Sequence, residues 1–296
     1  MLQQTRVETV LRYYAPFLAR FPSVGALAAA EEDALMKAWE GLGYYRRARL
    51  LQRGAAHVAA HGMPSCYQEW LAVPGVGPYT AGAIASLAHG EAVPAVDGNV
   101  LRVWSRMCDD ATDVATPAAK RAAEAWVRAH QAAGAAGAFN EALMELGATV
   151  CTPTSPRCDA CPLASACRGR ARAHELPVKA RKAPPREVRV SVAVVERAGK
   201  LLLEKRGEGL LAGTWGLPWV EGGPAELRRH VEALVGGSAE VRPAVRAEAR
   251  HLFSHRRWQM RAYEVRTSAR GGEWRAPGEV ALGTAHRKIL RLLVET

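Results

Sequence analysis

The sequence lacks the features that would direct it to a membrane or a secretory pathway. Its 296 residues contain no run of about 18 apolar residues, the length that a membrane-spanning helix requires. No basic segment followed by an apolar one marks a secretion signal, and no internal repeat or low-complexity tract is visible. We therefore expect a cytoplasmic protein with no membrane partner. We also expect a monomer, and the chain is long enough to form two domains.

Acidic residues are also fewer than basic ones. The chain carries 40 Lys and Arg against 29 Asp and Glu, a net charge of +11. The excess is uneven, because residues 1–185 hold 20 basic and 16 acidic residues (+4) and residues 186–296 hold 20 and 13 (+7). A basic surface favours a polyanionic partner such as nucleic acid but does not identify one.

Four of the six cysteines lie within 17 residues, with the spacing C-x6-C-x2-C-x5-C. In a cytosolic chain such clustering predicts a metal site rather than disulfides. Four thiolates suit either a structural zinc ion or a [4Fe–4S] cluster. Zinc ribbons usually pair two C-x2-C knuckles and only one is present, so the cluster is favoured. The predicted ligands are Cys151, Cys158, Cys161 and Cys167.

A tight turn, Pro74-Gly75-Val76-Gly77-Pro78, precedes an apolar run over 79–87 that predicts a helix. Its two glycines allow unusual backbone angles, and Pro78 suits the first position of a helix. Together with a helix predicted over 66–72, the turn forms a helix-hairpin-helix. The N–H groups of Gly75, Gly77 and the following helix start would point outward, an arrangement that suits a phosphate.

Further along, Asp97-Gly98-Asn99 opens a helix predicted over 100–107. An acidic residue at this position is most often a helix cap, so the triplet alone assigns no chemistry. Upstream, Tyr44 and Tyr45 stand beside Arg46, Arg47 and Arg49. That stretch is either a solvated helix start or a set of aromatic and cationic groups that contact bases and phosphates.

The predicted secondary structure changes once, near residue 187. Residues 1–150 are predicted to be helical, beginning with a helix over 2–18 that lacks a cap. Residues 188–195, 200–205 and 258–265 alternate or are β-branched like strands, with helices over 227–234 and 284–293. The expected boundaries are a helical domain over 1–167 with the cysteine loop at 151–167, a basic Pro-containing linker over 168–186 that buries little, and an α+β domain over 187–296.

Seven segments occur in the order typical of one family. They are MLQQTRVETV, WEGLGYYRRAR, PGVGPYTAGAIASLA, PAVDGNVLRV, FNEALMELGATVC, GLLAGTW and HLFSH. The chain thus resembles the MutY family of adenine DNA glycosylases, within the endonuclease III-like helix-hairpin-helix superfamily. The resemblance implies a mostly α glycosylase domain with a [4Fe–4S] loop, followed by a Nudix-like α+β domain.

The resemblance also implies removal of adenine mispaired with 8-oxoguanine (or guanine) in double-stranded DNA, and hence association with the nucleoid. Asp97 would stabilise an oxocarbenium-like sugar after base flipping, with Asn99 and Tyr79 in support and Glu141 against the adenine. The DNA contacts implied are Gly75 and Gly77 of the hairpin, Gln4 and Tyr44 as wedge residues at the lesion pair, and Phe253, Ser254 and His255 against 8-oxoguanine.

Three alternatives remain open. In the lyase relatives a lysine of the hairpin helix forms a Schiff base with the sugar, whereas this chain has Tyr79 there and no lysine between Lys37 and Lys120, so we expect a monofunctional enzyme. A Nudix pyrophosphatase would need a glutamate-rich helix, and residues 227–232 hold one acid.

The third alternative is a catalytically impaired lesion-binding protein. By the resemblance, the family's general acid is a glutamate two residues upstream of the methionine that aligns with Met1. We expect the true start to lie upstream of Met1. The printed chain is expected to bind DNA with severely reduced base excision, with Glu141 the one nearby acid that could substitute.

Overall fold

The computed structural model describes residues 1–5, 7–132, 134–180, 183–207 and 209–294. No helix in these ranges is long and apolar enough to cross a membrane. Contacts divide the chain into two compact units, Met1–Ala56 with Ala183–Thr296 and His57–Lys182. The first unit thus combines the N-terminal helices with the α+β region. The boundaries expected from sequence group residues 1–167 instead, and they stay a prediction.

The described residues up to 150 are helical, as predicted from the hydrophobic spacing. The helices are α1 (Val7–Arg20), α2 (Val24–Ala28), α3 (Glu32–Ala38), α4 (Arg46–His61), α5 (Tyr67–Ala72), α6 (Pro78–His89), α7 (Gly98–Cys108), α8 (Pro117–His130) and α9 (Ala136–Thr149). Pro78 and Pro117 each lie in the first turn of their helix, where a missing N–H costs nothing.

The helix predicted from residue 2 is wrong at its start. The segment ahead of α1 is a turn in which the Thr5 N–H donates to the Leu2 carbonyl at 3.3 Å. Gln4 has a φ of 59°, in the left-handed region, and therefore cannot continue a right-handed helix. This conformation is the physical reason for the later start.

Helix α7 runs through the core of the second unit. Its buried side chains include Val100 and Val103, which pack against Val127 of α8 and Leu143 of α9. Close approach between the segments depends on Gly82, because a Cβ added there would lie 2.1 Å from the Pro94 carbonyl oxygen. The loop that leads to Asp97 is thus pressed directly onto α6.

The expectation that residues 168–186 bury little is wrong for their first half. A short 3-10 turn over 170–172 follows the cysteine loop, and Ala173 and Leu176 are each 2% exposed. The Leu176 carbonyl accepts a hydrogen bond from Nε of Arg106 at 2.9 Å. Basic residues in this segment therefore alternate with apolar ones that pack on α7, and Arg181 and Lys182 lie outside the described residues.

The α+β region forms two small sheets and two helices. Its strands are β1 (Arg186–Val194), β2 (Glu196–Arg197), β3 (Lys200–Lys205), β4 (Trp215–Gly216), β5 (Trp219–Glu221), β6 (Glu240–Leu252), β7 (Arg256–Arg266) and β8 (Glu273–Arg275), and its helices are α10 (Pro224–Val235) and α11 (Thr284–Val294). The first sheet has the order β5-β1-β7-β6, with β1 and β7 parallel, and β3 pairs with β2, β4 and β8 in the second. Strand β6 was not predicted; Ala249 is its one buried residue, and two register irregularities interrupt its pairing.

Side chains from β1 enter two separate apolar cores. Val188, Val190 and Val192 join a core with Ile289 of α11. The other core contains Ala193 and Val195 together with α10, through Leu227, Val231 and Val235. Both helices predicted in this region are therefore present, and each is anchored by apolar side chains at helical spacing.

One carboxylate connects the N-terminal helices to the α+β region within the first unit. Glu40, which follows α3, has a side chain that is 10% exposed and accepts a hydrogen bond from the Leu282 N–H at 2.8 Å. It also pairs with Arg287 of α11 and with Nζ of Lys37, the latter at 2.8 Å. Lys37 in turn donates to the Val280 carbonyl at 3.0 Å. A nearly buried anion with these partners holds the loop ahead of α11.

We predict that Glu40→Gln lowers the free energy of unfolding by about 1.5–3 kcal/mol, the range for hydrogen bonds to charged groups. The amide keeps the shape but leaves two cations facing a neutral group. Chemical denaturation measures the loss, and hydrogen exchange should show faster exchange of the Leu282 amide. Glu196→Gln, at an exposed position of the same unit, should change neither. Equal effects of the two substitutions would contradict the prediction.

Candidate functional site

Asp97 is held at the start of α7 by three hydrogen bonds. Its Oδ1 accepts from the N–H groups of Asn99 and Val100, both at 2.8 Å, and its Oδ2 accepts from Nδ2 of Asn99 at 2.9 Å. The residue is half-buried. The capping role expected for an acid here is confirmed, and Oδ2 accepts a single hydrogen bond from the described residues, although a carboxylate oxygen can accept two.

A second polar layer holds Asn99 in place. The Asn99 Oδ1 accepts a hydrogen bond from Arg102 at 2.9 Å. Arg102 is 8% exposed and also donates to the carbonyls of Gly147 and Cys151, both at 2.7 Å. Burial lowers the pKa of the Arg102 guanidinium. A continuous set of hydrogen bonds therefore connects the carboxylate of Asp97 to the backbone at the first cysteine of the loop.

Tyr79 lies in the first turn of α6, beside the same carboxylate. Its hydroxyl donates to Sδ of Met144 at 3.4 Å. Burial, and then the charge of Asp97, raise the pKa of the Tyr79 phenol. The phenol has one O–H, which Met144 accepts in this structure, and it cannot form a Schiff base.

The hairpin ahead of α6 has the geometry predicted for it. Gly75 is exposed with a φ of 87°, an angle that side chains resist. Gly77 caps the helix without a side-chain acceptor, so the first N–H groups of α6 lack the partner that a capping side chain would provide. Such a helix start can bind an anionic group.

Two adjacent residues of helix α9 lie in opposite environments. Glu141 is exposed, whereas Asn140 is completely buried. The Asn140 side chain donates to Oγ of Ser86 at 2.8 Å and to the Val93 carbonyl at 2.9 Å, and it accepts from the Ala95 N–H at 3.2 Å. Asn140 thus fixes the segment that ends at Asp97.

The four cysteines of the loop line one apolar cavity, together with Arg106 and Leu146 among others. None of the six cysteines forms a disulfide. In the described residues no three ligating side chains converge as a single metal ion requires. Four cysteine side chains around one cavity provide the number of thiolates that a [4Fe–4S] cluster requires. The residues present therefore fit a cluster.

Arg106 fastens both ends of this loop to α7. It is 1% exposed, and its Nη1 donates to Sγ of Cys151 at 3.1 Å and to the Thr152 carbonyl at 2.8 Å. The Arg106 carbonyl accepts from the Gly169 N–H at 2.8 Å. Burial, followed by the charges of the other three cysteines of the loop, raises the pKa of the Cys167 thiol.

In the first unit, Gln4 and Tyr44 each occupy an exposed turn. Their φ angles are 59° and 46°, and Tyr44 is 55% exposed. Its neighbour Tyr45 is 7% exposed, so only one tyrosine of the pair is available to a partner. Arg49 pairs with Glu32 at 2.7 Å, which removes it from the set of cations that could face phosphates.

Phe253, Ser254 and His255 form the turn between β6 and β7. The turn is closed by a hydrogen bond from the Phe253 N–H to the Arg256 carbonyl at 2.8 Å. Phe253 packs edge-on against Trp258, with ring centroids 4.9 Å apart, while Ser254 and His255 are exposed. The anchored ring presents the two polar residues to solvent.

Comparisons with known proteins match this layout. A family model for the HhH-GPD superfamily base excision DNA repair protein covers residues 1–129, and one for the NUDIX domain covers residues 191–292. The adenine DNA glycosylase of Mus musculus is 33% identical over 99% of this chain and 70% of its own length. This chain belongs to the adenine DNA glycosylase family.

Other members of the family and one solved structure agree. The Homo sapiens adenine DNA glycosylase is 33% identical over 99% of this chain and 66% of its own length, so the match spans slightly less than two thirds of that protein. The Arabidopsis thaliana member is 40% identical over 74% of this chain and 41% of its own. A thermostable thymine-DNA glycosylase superposes with a TM-score of 0.51 at 26% identity, over 58% of this chain and 80% of that structure. The expected order, a helical glycosylase domain and then an α+β Nudix domain, is confirmed.

The structure brings Asp97, Asn99 and Tyr79 together, and it leaves Glu141 exposed on α9. Sequence reasoning missed Arg102, Arg106 and Asn140. A polar residue or a glycine inside an apolar helical pattern is the signal that could have found them. Gly147 is such a case, because a Cβ there would lie 2.6 Å from Cβ of Asn99.

We predict that Asn140→Ala destabilises the second unit by at least about 2 kcal/mol, because it leaves the buried Ala95 N–H without its acceptor, at about 1–3 kcal/mol, and removes one hydrogen bond each from Ser86 and Val93. Glu141→Ala, one residue further along the same helix, should change stability by less than about 0.5 kcal/mol, as exposed positions do. Thermal unfolding of both variants measures the difference. Similar losses would show that Asn140 does not organise the loop.

Proposed function

We propose that this chain is a monofunctional DNA glycosylase that hydrolyses the N-glycosidic bond of adenine paired with 8-oxoguanine or guanine. The observation that carries the proposal is the carboxylate of Asp97, which follows a helix-hairpin-helix and whose Oδ2 accepts a single hydrogen bond from the described residues. Relatives named adenine DNA glycosylases, covering nearly the whole chain, supply the choice of base.

The chemistry assigned to Asp97 is electrostatic. When the bond from C1′ to the base breaks, its electrons leave with the adenine and the sugar becomes a cation. The three donors on Asp97 hold its charge in a fixed place, so that little reorganisation is needed as the cation forms. The leaving base needs a proton as well, which a general acid must supply.

The Nudix domain is assigned lesion recognition rather than hydrolysis. Ser254 and His255, exposed beside an anchored Phe253, would contact 8-oxoguanine. The acids near α10 support this choice, because Glu204 is bound by His230 at 2.7 Å and by Arg206 at 3.0 Å. Glu226 caps its own helix through the Gly223 N–H at 3.0 Å. A Mg²⁺ site would need these carboxylates to be free.

A pair of duplexes tests the role of Asp97 without depending on the general acid. One holds a cationic azasugar in place of the adenosine opposite 8-oxoguanine, and the other holds a neutral tetrahydrofuran at that position. Asp97→Asn should weaken binding of the cationic duplex by about 10²-fold or more, as loss of a preorganised group costs in catalysis. Affinity for the neutral duplex should change little.

Adenine release from an 8-oxoguanine:adenine duplex is measured alongside, in single turnover and with borohydride present. Lesion-preferring binding by the printed chain supports the proposal, and any release should vanish in Asp97→Asn. Binding without release favours the impaired lesion-binding protein. A borohydride-trapped adduct would show lyase chemistry. Folded protein with no preference for the lesion would overturn the proposal.

We also propose that Cys151, Cys158, Cys161 and Cys167 hold a [4Fe–4S] cluster, which would cross-link the loop that follows α9 to itself. Purified protein should be brown and contain about four irons per chain, one cysteine binding each iron. Cys158→Ser should lose most of the iron and colour, while Cys66→Ser, a cysteine outside the loop, should keep both. Colourless protein with about one zinc ion would contradict this assignment.

A further inference from the structure

Arg47, in the first turn of α4, lies between the two exposed turns that carry Gln4 and Tyr44. On one side its Nη1 donates to the carbonyls of Met1, at 2.9 Å, and Gln3, and its Nη2 donates to Oγ1 of Thr5 at 2.8 Å. These acceptors flank Gln4 in sequence. One guanidinium thus holds the backbone before Gln4 and the side chain after it.

The same guanidinium reaches the second turn. Its Nη2 lies 3.4 Å from the carbonyl oxygens of Leu42 and Gly43, directly before Tyr44. Its carbon lies 5.4 Å from the centre of the Tyr44 ring and 5.5 Å from that of Trp39, a cation–π arrangement. The Trp39 indole donates to the Gly43 carbonyl at 3.1 Å. The second turn is therefore braced from two directions.

Neither turn would keep its shape without such support. Gln4 and Tyr44 are two of the five described non-glycine residues with positive φ, a conformation that persists only where surrounding contacts impose it. Gly41 makes the second turn possible, because its φ is 101° and a Cβ there would lie 2.3 Å from the Tyr13 hydroxyl. Two strained turns, distant in sequence, share one cation.

The contacts of Arg47 exclude the simpler interpretation as a phosphate ligand. Its recorded acceptors are neutral oxygens of the chain, and its Nε is buried without a partner among the described residues. A half-buried cation turned inward has few donors left for DNA. Keeping a charged group in that place is costly unless its fork of donors performs a specific task.

We infer that Arg47 is a positioning residue that sets the spacing and orientation of Gln4 and Tyr44 toward the lesion pair. The inference rests on the proposed function, which assigns those two side chains to the lesion. Arg47 acts through them and touches no substrate. A lysine cannot replace it, since a single ammonium cannot reach both turns with the geometry of a planar fork.

The test compares Arg47→Lys with Arg53→Lys, the same substitution at an exposed position of α4. Both keep the charge, so affinity for undamaged duplex should stay within about 2-fold, as expected for phosphate contacts that depend on charge. Arg47→Lys should lower the preference for 8-oxoguanine:adenine over undamaged duplex by about 10-fold or more, because small displacements of positioning groups can cost up to about 10²-fold. Arg53→Lys should leave the preference unchanged.

A fluorescent 2-aminopurine beside the lesion pair reports insertion directly, since its emission rises when it is unstacked. Arg47→Lys should reduce that rise, and on a Tyr44→Ala background it should have little further effect, because residues that act through one another are not additive. A purely structural role would give additive losses. Additive effects, or an unchanged preference in Arg47→Lys, would overturn the inference.

Thr5→Val offers a milder change if Arg47→Lys does not fold. It removes one acceptor of the guanidinium and keeps the side-chain volume, and it should shift the preference and the fluorescence in the same direction by a smaller factor. Absence of any shift in folded Thr5→Val would also overturn the inference. If the unmodified chain shows no preference for the lesion, the proposed function would be overturned instead.

Discussion

The start of α7 is the constraint on which the second unit depends. Asp97 must end the preceding loop and cap the helix, and it can do so because Asn99 supplies both a backbone and a side-chain donor. Arg102 keeps Asn99 in that orientation. The arrangement tolerates little displacement, since Gly147 and Asn99 are already in contact.

Buried polar side chains, rather than surface ion pairs, set the positions of the functional groups. Asn140, Arg102 and Arg106 are each less than 10% exposed, and each forms at least two hydrogen bonds to backbone groups distant in the chain. In the interior an unmade hydrogen bond is expensive. These networks therefore restrict the segments around Asp97 and the cysteine loop to few arrangements, which a catalytic site requires and an apolar core alone would not impose.

In the first unit, charged side chains restrict the backbone in the same way. Glu40 pairs with Lys37 of α3 and binds Arg287 and a backbone N–H of the α+β region, and Arg47 binds carbonyls from two turns. Both residues flank the Gly41-Leu42-Gly43 turn. A glycine-rich turn is freely deformable by itself, and the charged residues on either side restrict it. Exposed Tyr44 thus stands on a surface whose backbone is fixed from within.

The sequence alone determined the helices up to residue 150, the hairpin at Gly75 and Gly77, the cysteine cluster and the order of the two fold types, because these follow from local patterns of apolar spacing, turn residues and ligand spacing. Tertiary structure decided the rest. It stopped α1 short of Gln4, packed Leu176 in a segment that looked like a linker, and turned Arg47 inward where a phosphate contact was an open interpretation. Each of these outcomes depends on partners distant in the chain, and a local pattern carries no information about which distant group will satisfy a buried donor or cover an apolar side chain.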